Sequence, residues 1–140
     1  MFLSNEEISS NREKTFIFKV NSNYFKNYWC KLELLESQTL DDLHDTIQRI
    51  MEFDNYFEDH LYSFFMSGKE WDCDTEYAGP VEFQDYRDVK KTTITLNELS
   101  LGYKQKFLYL YDYGDQLIYI ITVIGVGIYE KTKKYPYHIM

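Results

Sequence analysis

Asp112 and Asp115 stand three residues apart in FLYLYDYGD, a stretch with an aromatic residue on every odd position from Phe107 to Tyr113. Carboxylates so spaced across a turn can offer hard oxygen ligands to one divalent cation. They can also divide the work of general acid and general base if their surroundings pull their pKa values apart. His44 and His60 extend the set. Two imidazoles and two carboxylates suit a divalent transition metal, with Asp112, Asp115 and His60 as the candidate ligands. A plainer use runs beside each. An Asp after Gly114 is ordinary turn chemistry, its carboxylate accepting backbone N–H bonds. His44, next to Leu43, reads first as a hydrogen-bonded, partly buried ring, and His138 lies in a tail with no role assigned.

A second constellation is aromatic. Trp71, Tyr77, Phe83 and Tyr86 punctuate an acidic excursion over residues 67–91. Trp and Tyr give large contact area at low entropy cost, so Trp71, Tyr77 and Tyr86 are candidate recognition residues. They can equally pin the loop onto the sheet. Asp72, Asp74 and Glu76 alternate like the start of a calcium loop. An EF-hand needs Gly at the sixth position and Glu at the twelfth, where this chain has Tyr77 and Phe83. There is no Gly-rich phosphate loop, no G-x-S-x-G elbow, no H-E-x-x-H and no Cys–His spacing for zinc. No recognised reaction class finds its parts.

Composition narrows the setting. The 140 residues suit one domain and carry a formal net charge of −8. That balance disfavours non-specific nucleic-acid binding unless a local basic patch overrides it. Lys131, Lys133 and Lys134 form a short basic cluster that reads as a solvated tail. Cys30 and Cys73 make no metal framework and are expected as reduced thiols of a cytoplasmic protein. The start, MFLSNEEISS, lacks the pattern of a signal peptide. The apolar run from Leu117 to Ile128 is too short to span a bilayer as a helix.

These residues need elements to position them, and the aromatic share of 19% favours pleated surfaces. TFIFKV alternates, with Phe16, Phe18 and Val20 on one face. YWCKLELLE alternates again, and the two predict an antiparallel hairpin. Leu40, Leu43, Ile47, Ile50 and Met51 then recur at helical spacing behind Thr39 as N-cap, with Asp41 and Asp42 at the positive end of the helix dipole. FDNYFED reads as a loop and HLYSFFM as a third strand. The long excursion is expected to hold a short strand near Trp71 and a turn at Gly79–Pro80. TTITLNELSL predicts an extended piece and a helical turn at Leu96–Leu99. QKFLYLYDY and QLIYIITVI predict two strong strands joined at Gly114–Asp115, the second central and covered on both faces. The order β-β-α-β then β-β predicts an α+β single domain, a mixed, mainly antiparallel sheet with one main helix on one face. Its bounds are residues 14–130, between a flexible segment at 1–13 and a tail at 131–140.

Three segments together carry a family likeness. They are Trp29-Cys30-Lys31-Leu32-Glu33-Leu34, then TLDDLHDTIQRIMEFDNYFEDHLYSF, and then FLYLYDYGD. In order and spacing the chain resembles the plasmid pRiA4b ORF-3-like family over about residues 14–124. The resemblance implies a small cytosolic α+β protein of bacteria or archaea, often encoded near plasmid or transposon genes, and it implies no particular reaction. Family members typically continue Tyr-Asp-Phe-Gly-Asp into Asp-Trp and a His. The corresponding residues here are Gln116, Leu117 and Tyr119.

The function expected from the sequence is a non-enzymatic binding module. It would recognise a protein or small ligand through the 107–119 hairpin, His60 and the aromatic acidic loop, with no cofactor. The alternative is a metal-dependent enzyme acting on nucleic acid in a mobile-element context, with a divalent metal on Asp112, Asp115 and His60. A homodimer through an edge strand is a third possibility. No membrane partner is expected.

Overall fold

The computed structural model describes residues 13–52 and 60–139. Eight strands form one sheet: β1 (Lys14–Ser22), β2 (Trp29–Leu35), β3 (Tyr62–Phe65), β4 (Glu76–Gly79), β5 (Lys90–Lys91), β6 (Lys106–Tyr111), β7 (Leu117–Ile128) and β8 (Tyr137–His138). Their order is β5-β4-β3-β6-β7-β1-β2-β8. Every pairing is antiparallel except that of β4 with β5. The main helix, α1 (Leu40–Met51), packs on one face. This is the α+β arrangement expected from the alternating strands and the one helical period.

The helix begins where its cap says it should. The Thr39 side chain accepts from the Asp42 N–H at 3.1 Å, and the Asp42 carboxylate accepts from the Thr39 N–H at 2.9 Å. This capping box satisfies two otherwise free donors. Leu40, Leu43, Ile47 and Met51 are buried against Phe16, Phe18, Val20, Phe64, Phe107, Tyr109, Tyr119 and Ile121 of the strands. Burying one such aliphatic or Phe side chain contributes about 1.5–3 kcal/mol, so this face carries most of the stability. Buried Cys30 belongs to it, its thiol pushed up to about 12 by desolvation, whereas Cys73 is exposed; both are free thiols.

The opposite, outer face differs from expectation. Tyr119, Ile121 and Val123 of β7 are buried under the helix, but Ile118, Ile120 and Thr122 are only half-buried. The strand is central without being covered on both sides. The excursion over 67–91 holds two strands, and the first lies at Glu76–Gly79 rather than near Trp71. Trp71 takes a left-handed φ of 57° and cannot continue a strand. A 3-10 turn at Asn97–Leu99 matches the expected helical turn.

Within the expected tail from residue 131, Tyr137–His138 add a short strand to the sheet edge, while Lys131 and Lys134 are exposed. Tyr137 pairs with Glu33 and His138 with Leu32. Lys133 reaches back to the buried Glu33 at 3.1 Å, and Glu33 also accepts from the Thr15 hydroxyl at 2.6 Å. Gly127 lies opposite Thr15, where an added Cβ would stand 2.7 Å from the Thr15 hydroxyl and 3.1 Å from Glu33 Oε2. Only glycine leaves room for that buried pair. The expected flexible start and the FDNYFED loop fall on residues 1–12 and 53–59, outside the described residues.

Candidate functional site

The β6–β7 hairpin tip is built around Asp112. Its φ of 65° lies in the left-handed region, which Asp tolerates in turns. One carboxylate oxygen, Oδ1, accepts from the N–H groups of Gly114 at 3.0 Å and Asp115 at 3.3 Å. The other, Oδ2, faces Nδ1 of His60 at 3.6 Å. The Asp112 N–H donates to the Leu61 carbonyl at 2.8 Å, which ties the tip to the chain entering β3. The expected meeting of Asp112 with His60 is therefore present.

Asp115 does not join them. It contributes its backbone N–H to Asp112, while its side chain is in the exposed part of the turn. Half of the Asp112 carboxylate is already committed to turn amides. Among the described residues no group of three or more His, Cys, Asp and Glu side chains is arranged to hold a metal ion. The candidate set Asp112, Asp115 and His60 does not converge, because the turn that brings the two Asp residues close uses one to fold around the other.

His44 faces inward from α1. Its ring stacks on Tyr62 with centroids 3.6 Å apart, and its Nδ1 lies 2.5 Å from the Tyr109 hydroxyl. Tyr109 is fully buried and also accepts from Nε2 of Gln48 at 2.9 Å. Burial raises the Tyr109 pKa well above its ordinary value and lowers that of His44 to about 3. Both groups are therefore neutral near pH 7. Tyr62 donates to Asp41 at 2.5 Å. The Tyr111 ring lies between the two histidines, 6.0 Å from His44 and 5.4 Å from His60. The histidines share a neighbourhood, but they do not share a ligand position.

The outer face holds a polar cluster that the sequence pattern did not reveal. Glu76, fully buried in β4, accepts from Arg87 at 2.5 Å and from the Ser63 hydroxyl at 2.6 Å. The Tyr113 hydroxyl lies 2.6 Å from Ser63 Oγ and takes bonds from Gln84 at 3.1 Å and Arg87 at 3.2 Å. The Arg87 guanidinium pKa is raised, chiefly by its hydrogen bond to Glu76. A buried charge needs such a partner and further hydrogen bonds to be tolerated.

This cluster anchors the aromatic loop. Trp71 packs edge-on against Phe65 at 5.6 Å and Tyr113 at 5.1 Å, and stays 39% exposed. Tyr77 does not sit with it. Tyr77 pairs with Phe64 and so points to the helix face, where Lys90 lies over its ring at 5.3 Å. Tyr86 is 70% exposed beside a cavity of about 220 Å³ lined by Ala78, Val81, Gln84, Arg87, Val89 and Lys91 among others. The three candidate aromatics thus fall on two faces.

The model of one family, described as plasmid pRiA4b ORF-3-like protein, matches residues 15–140. Among solved structures, the crystal structure of a protein of unknown function, MM3350 from Methanosarcina mazei Go1, has a TM-score of 0.71 to this chain at 20% identity. The match covers 92% of this chain and 69% of that one. At that identity the likeness bears on the fold alone. No curated protein matches.

Proposed function

We propose that this chain, which belongs to the plasmid pRiA4b ORF-3-like family, is a non-enzymatic binding module that recognises a protein partner through the outer-face end of the 107–119 hairpin and the aromatic loop. The observation that carries the reading is Trp71, a large ring left 39% exposed on a platform of Phe65 and Tyr113. A rigidly seated, part-exposed Trp is the usual anchor of a protein interface. Beneath it the Glu76–Arg87–Tyr113 cluster fixes the loop in advance, which lowers the ordering cost of binding. Tyr86 and Phe83, 70% and 53% exposed, are further open rings of the same loop.

The metal-enzyme reading draws less support, because Asp112 is engaged by its own turn and Asp115 stands apart. Pairing through a sheet edge draws little either, since β5 and β8 are each two residues long.

The test is affinity capture from a host-cell lysate with the native chain and with Trp71→Ala/Tyr86→Ala as bait, both shown to melt alike. A co-purifying protein lost with the double variant supports the reading. Capture that is unchanged by the double variant removes this surface from consideration.

A further inference from the structure

Three lysines line up across the outer face, and among the described residues no carboxylate pairs with them. The strand registers set Lys31 opposite Lys19, Lys19 opposite Thr122, and Thr122 opposite Lys106. Directly opposed residues share a face. The row therefore crosses β2, β1, β7 and β6 over three strand spacings, roughly 14 Å. Like charges directly opposed on a ladder destabilise it. Among the described residues, none of the three lysines enters an ion pair. Lys19 and Lys31 instead lie 4.8 and 5.8 Å from the centroid of Trp29.

A second row runs beside the first, two residues along each strand: Trp29, Asn21, Ile120, Leu108 and Phe65. Trp29 is 37% exposed, Ile120 and Leu108 are half-buried, and Phe65 lies under Trp71. A line of positive charge thus borders a strip that is apolar except for Asn21 and has an indole at each end. The surrounding sequence is equally one-sided, since residues 14–32 hold four lysines and no Asp or Glu.

We propose that this face binds single-stranded nucleic acid, with the lysine row on backbone phosphates and the strip under the bases. Lysine meets phosphate as a point charge and needs no fixed fork geometry. Open sheet faces with aromatic residues take splayed bases by stacking, which tolerates any sequence. The overall charge of −8 does not forbid this. At physiological salt the screening length is about 8 Å, so acids remote from the row act weakly on a strand lying along it. An acidic peptide would satisfy the lysines but leave the strip unused, so it is the less complete occupant. The inference does not rest on the protein-partner reading: its charge comes from the lysine row, and the two surfaces meet only at Trp71, which every variant of its test leaves in place.

The experiment is fluorescence anisotropy of a labelled oligo-dT probe with the intact chain, across about 50 to 200 mM salt. Three phosphate contacts predict a slope of log K against log salt near −2, a loss of roughly 20-fold over that range. The variant Lys19→Gln/Lys31→Gln/Lys106→Gln, made at half-buried or exposed positions, should weaken binding at low salt by a similar factor and flatten the slope. Trp29→Ala should weaken binding about 5-fold or more and leave the slope in place. Circular dichroism melts confirm that each variant is folded. Absence of binding at low salt, or binding that the lysine variant leaves unchanged, overturns the proposal. Equal displacement by poly-glutamate, or indifference to Trp29→Ala, overturns it in favour of an acidic peptide.

Discussion

The Tyr109 hydroxyl and Nδ1 of His44 share a hydrogen bond of 2.5 Å at the centre of the helix-facing core. The bond lies in a buried site that disfavours a charged imidazole. Burial keeps its pKa at about 3, against an ordinary 6.5. Tyr62, Tyr111 and the Asp41 carboxylate on the Tyr62 hydroxyl complete the surroundings.

Stability should accordingly fall with pH. The unfolded chain protonates His44 near pH 6.5 and the native state does so only near 3, so protons favour unfolding throughout that window. Between pH 6.5 and 5 the loss should reach about 2 kcal/mol, at 1.36 kcal/mol per unit. Urea midpoints near pH 7.5 and pH 5 measure it. His44→Phe should be less stable at both, because the buried Tyr109 hydroxyl loses a hydrogen-bond partner, yet show a flatter dependence. An unchanged slope in that variant would exclude His44 as the source.

The Glu76–Arg87 pair should be costly to break on one side only. Arg87→Met leaves a fully buried carboxylate unpaired and should cost about 3–5 kcal/mol. Adding Glu76→Gln should return part of that loss, since a neutral amide tolerates the site better. Denaturant unfolding of the two single variants and the double variant checks the coupling. Additive losses would show that the two residues do not act as a unit.

Much of this architecture was legible because buried faces impose period two on strands and period 3.6 on the helix. Phe16, Phe18 and Val20, or Leu40, Leu43 and Ile47, announce their faces directly. The short strands did not. Two residues at Lys90–Lys91 and four at Glu76–Gly79 are too few to show alternation, and their pairing is set by tertiary contacts. A short strand is expected near Trp71, but the left-handed backbone there makes a turn. Asp112 and His60 were rightly brought together by topology. Asp115 was wrongly added, since spacing alone does not say which of two turn carboxylates points inward. Tyr77 and Trp71 are near neighbours in the chain, but Tyr77 faces the helix from β4 while Trp71 lies in a turn and packs on Phe65 and Tyr113 of the outer face.

Lys133 should hold the last strand in place. Its ammonium meets Glu33 at 3.1 Å, and two β8 residues pair with β2 beside it. Lys133→Ala should speed hydrogen exchange at the Ile139 amide, which donates to the Lys31 carbonyl at 2.9 Å, and leave amides in β6 protected. Unaltered exchange at Ile139 would mean that the strand pairing suffices without the ion pair.

Asp112 separates a structural carboxylate from a ligating one. Asp112→Ala removes the acceptor for two turn N–H groups and puts a Cβ-bearing residue with no polar side chain at a φ of 65°. The loss of two partly exposed hydrogen bonds and the backbone strain should together cost about 1–2 kcal/mol. Asp112→Asn keeps the amide oxygen for the same N–H groups and tolerates the left-handed backbone, so it should stay within about 0.5 kcal/mol of the native chain. Asp115→Ala should be near neutral, because only its backbone enters the turn. Thermal melts of the three variants give the order. If Asn proved as damaging as Ala, the charge facing His60 would matter more than the turn, and the assignment of Asp112 to folding would fall.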